Sequence, residues 1–342
     1  MHVHLVGSLG LGSCAEAMDT VGETVAPYLK RCPDGEVGGR RMWIGWQWPL
    51  LRASQFLDLT PEGWIPNVGV HSLQLKADAS EEDIWFGELG YAREARSSYQ
   101  QLLASRARGA LAPDTRLQVC LPTPFAVIGA FVTPRDISKI LPVYEQAMIR
   151  EVADICATIP HHELAIQWDV CVEMIQWDGR FAHIPPIPDM ERVFRQAFGR
   201  LGAAVPPAVQ MGFHLCYGDH DNKHFIEPLD LAKAVGLANL ITQSGARAVN
   251  WIHVPVPIAR DDVAYFNPLR QLDRGPETEL YLGLVHWQDG VAGSVQRARS
   301  ASGVVSDFGV GTECGLGRAR TRERAREILR VQAGVAAHGI GA

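Results

Sequence analysis

Short apolar runs of strand length recur along the chain, at residues 2–6, 70–75, 117–121, 164–168, 209–215, 248–254, 280–285 and 305–310. Several of the stretches between them carry a helical period instead. Tyr144, Met148, Val152 and Ile155 fall on one face, and so do Leu231, Val235 and Ala238. Strand-like runs alternating with helical ones predict a parallel sheet with crossover helices. Eight such units in one chain predict a single α/β domain over residues 1–342, a (β/α)8 TIM barrel. The first unit is unusual. Residues 9–68 are rich in Gly and Trp and are expected to make an excursion over the barrel mouth.

A doubly wound open sheet is the rival architecture, and it calls for a phosphate-binding loop after an early strand. Residues 7–12 offer glycines at Gly7, Gly10 and Gly12, which is not the G-x-G-x-x-G spacing. The proline-rich residues 184–188 fall where a loop is expected between a strand and a helix. No internal repeat or low-complexity tract interrupts the pattern.

Composition narrows the function classes. Apolar residues make up 47% of the 342 and charged ones 20%, enough for a sizeable core. Lys and Arg total 32 against 38 Asp and Glu. The arginines within residues 318–330 alternate with Glu323 and Glu327, as on a solvated helix face, so nucleic acid is not an expected partner. No apolar stretch of membrane-spanning length and no signal-peptide pattern is present, so neither a membrane nor export is expected. Seven scattered cysteines do not read as a disulfide framework. They fit a reducing, cytoplasmic setting with Cys14, Cys32, Cys120, Cys156 and Cys171 mostly as free thiols. A homo-oligomer is compatible with all of this.

Two cysteines stand beside other ligand types. His214 and Cys216 close the fifth apolar run, and residues i and i+2 of a strand face the same side. Imidazole and thiolate are both good zinc ligands. Cys314 follows the eighth run and precedes Gly315 and Gly317, which let the backbone turn tightly. Strands five and eight of a barrel open onto one mouth, so Cys314 can meet the first pair. His253, near the end of the sixth run, is a fourth candidate ligand; its plain alternative is a hydrogen-bonded core histidine. Three protein ligands with one open position is the catalytic zinc pattern, and two thiolates favour activating a bound thiol over ionising water.

Other residues invite chemistry less directly. Arg40 and Arg41 are suited to clamping a carboxylate. Residues 219–224 are dense in ligand types and also read as a polar loop or a lid. Trp43, Trp46 and Trp48 either wall a pocket or pack the excursion.

His214-Leu215-Cys216-Tyr217 and Cys314-Gly315-Leu316, at their separation, resemble the catalytic domain of cobalamin-independent methionine synthase. The resemblance extends along most of the chain. Val6-Gly7-Ser8 is similar to the family's I-G-S opening, and Asp34-Gly35-Glu36 with Arg40, Arg41 and Met42 to its H-G-E-x-x-R-x-D-M segment. Ile166-Gln167-Trp168-Asp169 is similar to its Q-I-D-E-P strand, and Leu121-Pro122-Thr123-Pro124 loosely to T-G-P-x-T. The resemblance implies that Ser8, Glu36 and Asp169 bind an amino-acid substrate. It also places Phe131 near the family's folate-stacking Trp, which would make a folate-type compound the methyl donor. His253 occupies the position of the family's acidic zinc ligand, with Glu227 as an alternative on the loop after Cys216. His286 or Asp289 stands in for its proton-donating His. The chain departs from the family at Asp169-Val170-Cys171, where Asp-Glu-Pro is usual, and shows one barrel where the full-length synthase has two. In outline it resembles the wider group that includes alkyl-thiol transferases and uroporphyrinogen decarboxylase.

The expected activity is a zinc-dependent methyl or alkyl transfer to a small thiol. A decarboxylase-like or carbon–sulfur lyase, or a non-catalytic zinc- or thiol-binding protein with a closed four-ligand site, are the rivals. Fold alone does not choose between them.

Overall fold

The computed structural model describes residues 1–65, 69–180, 187–219, 223–245, 247–317 and 320–339. Nine strands are assigned among them: β1 (Arg31–Pro33), β2 (Leu57–Ile65), β3 (Val70–Leu75), β4 (Arg116–Pro122), β5 (Leu164–Val170), β6 (Gln210–Leu215), β7 (Trp251–Pro255), β8 (Glu279–Gly283) and β9 (Gly309–Val310). The helices that cover them are α1 (Cys14–Thr24), α2 (Trp48–Arg52), α3 (Tyr91–Ala107), α4 (Pro124–Phe131), α5 (Pro134–Thr158), α6 (Val172–Asp178), α7 (Met190–Ala203), α8 (Ala232–Thr242), α9 (Val263–Phe266), α10 (Gly290–Ser302) and α11 (Arg322–His338).

Seven strands form one parallel sheet in the order β1-β4-β5-β6-β7-β8-β9. A parallel sheet is covered on both faces, so its strands read as continuous apolar runs rather than alternations. Every residue of β5 and of β7 is buried accordingly. Val3 is bridged in parallel to Leu29, just before β1, and to Val310 in β9. One residue thus touches both edges, and the sheet must curl to let it.

The second apolar run is a correction to the sequence reading. Residues 70–75 are not in this sheet; as β3 they pair antiparallel with β2 in a separate hairpin, docked through a bridge from Leu73 to Val132. Their place beside β4 is taken by β1, a strand of only three residues inside the 9–68 excursion. A strand that short, ending in proline, carries no period to detect.

Large side chains fill the inside of the curl, and glycines make room for them. A Cβ on Gly212 would lie 2.0 Å from the Trp251 ring, and one on Gly309 would lie 2.4 Å from Tyr281. The Arg31 guanidinium lies 4.3 Å from the Trp251 ring centroid and donates to Gln210, Tyr281 and Glu279. This layer closes the end of the sheet where the strands begin. Outside, α5 packs Ile140, Tyr144, Met148, Val152 and Ile155 inward, as their spacing predicts. Side-chain caps at Ser13, Thr123 and Thr321 start α1, α4 and α11, each contributing roughly 1 kcal/mol.

Candidate metal centre

The carboxyl ends of the strands carry the chemistry, as barrel-like parallel sheets generally arrange it. β6 delivers His214 and, just past its last residue, Cys216. The Cys216 amide donates to Val170 O at 3.2 Å, which carries the β5–β6 pairing one step beyond the strands. Gly218 then turns the chain at φ +81°, where a Cβ would strike the Phe225 ring at 2.3 Å.

Cys314 arrives on the loop after β9, and Ser8 holds that loop. Leu316 N donates to Ser8 O at 2.6 Å and Gly317 N to Ser8 Oγ at 3.0 Å. A Cβ on Gly315 would sit 2.3 Å from Ser8 Oγ, so this close approach requires glycine there. Arg41 adds two donations to Gly317 O. Ser8, expected to face substrate, has its hydroxyl engaged in positioning the Cys314 loop.

The result is that one donor atom each from His214, Cys216 and Cys314 lie within 4.8 Å of one another. An imidazole and two thiols, enclosed and convergent, are the donor chemistry that fits a tetrahedral zinc-type ion. His253 lies against this group. Its Nδ1 is 2.7 Å from Nδ1 of His214, so one ring donates to the other. Burial pushes the His253 pKa down to about 3, which keeps the ring neutral.

A third sulfur is adjacent. Cys171 follows β5 and packs with Cys216 and Ile175, against Trp43 and Cys314. The Cys216 thiol is pushed well above its ordinary pKa by its hydrogen bond with Cys171, against the opposing hydrogen bond with Cys314, and by burial. Nothing in the sequence sets Cys171 apart from the other thiols. Its one usable signal is position: one residue past Val170, it faces Cys216 across the β5–β6 pair.

On one side of the centre, Gly7 brings together Glu36, Cys120 and Asp169. A Cβ on Gly7 would lie 3.3 Å from both the Cys120 sulfur and the Glu36 carboxyl. Burial, and then the charges of Asp169 and Glu36, push the Cys120 thiol well up. Gln167 donates to Asp169 Oδ1 at 2.8 Å. Glu36 sits at φ +45°, its amide bonded to Asp34 Oδ1 at 2.8 Å; Asp34 also pairs with Arg40. Arg40 is therefore committed within the protein.

On another side lies a cavity of about 440 Å³, lined by Cys314, Thr312, Glu313, His224, Glu227, Asp219, Arg260, His286 and Trp287 among others. Glu313 stands 3.4 Å from His224 Nε2 and 3.8 Å from His286 Nδ1. Burial, partly offset by His224, raises the Glu313 pKa to about 8. Burial opposes charging His224, but the hydrogen bond to Glu227 and the field of Glu313 win and lift it to about 9. His286 falls to about 4 through burial and the nearby Arg297, and its Nε2 donates to Val256 O at 2.8 Å.

Other expected site residues stand apart. Asp289 grips Arg297 with both oxygens, at 2.6 and 2.9 Å, and does not line the cavity. Phe131 is wholly buried at the end of α4 and shows no open face for stacking. Glu227 bonds His224 at 3.2 Å on the cavity wall. Of residues 219–224, positions 220–222 lie outside the described residues, as do 184–186 of the proline-rich piece. Trp46 packs edge-on to Tyr91 and Trp48 donates to His71 O; only Trp43 approaches the centre.

The fold is similar to that of a Listeria monocytogenes protein assigned as a vitamin-B12-independent methionine synthase. That match has TM-score 0.58 and 16% identity, over 96% of this chain and 87% of the other. It is also similar to a B12-independent methionine synthase from Shewanella sp. in complex with selenomethionine, with TM-score 0.57 and 13% identity, over 85% and 77% of the two chains. No family model matches the sequence, and no curated protein is similar to it in sequence.

Proposed function

We propose that the protein is a zinc-dependent transferase that moves a methyl or alkyl group from a small electrophilic donor to a small thiol. The convergence of His214, Cys216 and Cys314 within 4.8 Å carries this reading. Zinc held there would lower the pKa of a substrate thiol and so make it nucleophilic at neutral pH. The curled parallel sheet, with Val3 bridged to both of its edges, is the kind of scaffold at whose strand ends such sites are built.

His214 serves through its imidazole, with neutral His253 fixing the ring's orientation from behind, in the manner of an outer-shell partner. Glu36 and Asp169 form an anionic wall suited to an ammonium group, which points to an amino-acid thiol. The selenomethionine in the similar Shewanella protein is an amino acid with a methylated chalcogen and supports that choice. In the transfer the thiol loses its proton, a sulfur–carbon bond forms, and the bond from that carbon to the leaving group breaks. The leaving group takes up a proton, which we assign to the Glu313 carboxyl, kept protonated at neutral pH by burial, with His286 Nδ1 beside it in the cavity as the relay. Asp289 acts only through Arg297. A folate-type compound is one donor class to test, bound in the cavity rather than against Phe131.

The test is metal content of the purified protein, followed by thiol methylation assays with homocysteine and other small thiols against folate-type and simpler methyl donors. About one zinc per chain, lost in Cys314→Ala, with product formed only by the zinc-loaded protein, is the expected result. A folded wild type prepared without chelators that holds no metal overturns the reading.

A further inference from the structure

Resting on the metal reading of this centre, we propose that Cys171 is a further thiolate ligand, so that the resting donor set is His214, Cys171, Cys216 and Cys314. The argument starts from strand register. Asp169 pairs with His214 and Val170 with Leu215 across β5 and β6. The hydrogen bond from Cys216 N to Val170 O continues the same ladder. Cys171 and Cys216 are therefore the next facing positions, and their side chains stand on the same side of the sheet end. Both are buried, and they share one cluster with Ile175 that Cys314 and Trp43 cover.

The chemistry of the pocket points the same way. Buried thiols with no reaction to perform behave as small hydrophobes and scatter through a core, as Cys32 and Cys156 do here. Three thiols packed in one cluster beside an imidazole are instead the residues of the Cys₃His set of closed zinc sites. The Cys171 sulfur is not one of the three atoms grouped within 4.8 Å; it contacts Cys216. A rotation about its Cα–Cβ bond, away from the Phe225 ring that packs over Gly218 beside it, is the movement that brings it in. Ligation releases the thiol proton to solvent, as for the other two cysteines.

The mechanistic consequence is a site closed in the resting state. Incoming thiol would take the place of one protein ligand, and Cys171, the one that must turn in to reach the group, is the ligand we assign to leave.

The experiment is zinc-edge X-ray absorption of the full chain, as wild type, Cys171→Ser and Cys171→Ala, with zinc affinity measured by chelator competition. The proposal expects three sulfurs and one nitrogen around zinc in the wild type and one sulfur fewer in each variant. It also expects zinc binding to weaken by at least about 100-fold, beyond what outer-shell changes cost. Two sulfurs in the wild type, unchanged by either substitution, overturns the role of Cys171 and leaves the metal reading standing. Absence of zinc from the folded wild type overturns both. If the variants fail to fold, the wild-type sulfur count decides alone: three supports the proposal and two defeats it.

Discussion

The Nδ1 atoms of His214 and His253 lie 2.7 Å apart, on neighbouring strands paired at that very residue. Two neutral imidazoles make such a contact only when one is donor and the other acceptor, so the tautomers of the two rings are coupled. A metal bound by His214 through its other nitrogen would be steadied by this bond. His253→Phe is expected to keep the sulfur count at the metal while weakening zinc binding by roughly 10- to 100-fold. Chelator competition beside X-ray absorption checks it; loss of a nitrogen neighbour would make His253 a ligand instead.

Asp289 and His286 should separate cleanly. Removing the Asp289 carboxylate leaves the buried Arg297 charge without its ion-pair partner. Asp289→Ala is expected to cost about 2–3 kcal/mol by urea denaturation, below the range for a wholly buried pair because Asp289 is one-third exposed. His286→Gln should leave stability within about 1 kcal/mol and lower turnover, since its main structural bond is one hydrogen bond to Val256 O. Equal stability losses in both would remove His286 from the reaction.

At the other end of the sheet, Arg31, Lys30 and Tyr281 converge on Glu279. Burial favours the neutral acid, but the Arg31 charge and these hydrogen bonds prevail and bring the Glu279 pKa from 4.5 to about 2. A depressed folded pKa stabilises the protein fully above the unfolded value. That contribution is lost as pH falls from about 5 towards 2. Allowing for partial exposure it amounts to on the order of 2 kcal/mol. Glu279→Gln should be less stable at pH 7, and the gap to wild type should close on acidification. A gap that is constant from pH 7 to pH 3 refutes the assignment.

Gly212→Ala tests the packing inside the curl. The added methyl meets the Trp251 ring at 2.0 Å, so overpacking of about 1–3 kcal/mol or more is expected. Trp251→Leu, destabilising by itself, should remove most of that penalty in the double mutant. Additive losses in a double-mutant cycle would show that the two do not meet.

The long buried strands were legible because apolar residues dominate them: β5, β6, β7 and β8 fall where their hydrophobic runs predict. β1 was not, being three residues whose pairing is decided by β4 rather than by local pattern. Residues 70–75 have real strand character, and only tertiary context assigns them to a hairpin instead of the sheet. His214, Cys216 and Cys314 were legible because ligand-type residues at strand ends are uncommon. The contact between Cys171 and Cys216 was not, since the two stand 45 positions apart in sequence and meet only across one strand pair in space. Ser8 and Asp289 show the converse. Polar groups that look available in a sequence turn out to be holding backbone or a buried arginine.

Ser8 and Gly317, 309 positions apart, are joined by the hydrogen bond that seats the Cys314 loop. The chain entropy of closing so long a loop must be lost before such a contact offsets it. During synthesis His214 and Cys216 leave the ribosome about a hundred residues before Cys314 does. A complete set of ligands therefore exists only after the last strand has joined the first segment of the chain. Under the proposed zinc reading, metal uptake would report that the fold has been finished, since an immature chain lacks the full set of donors.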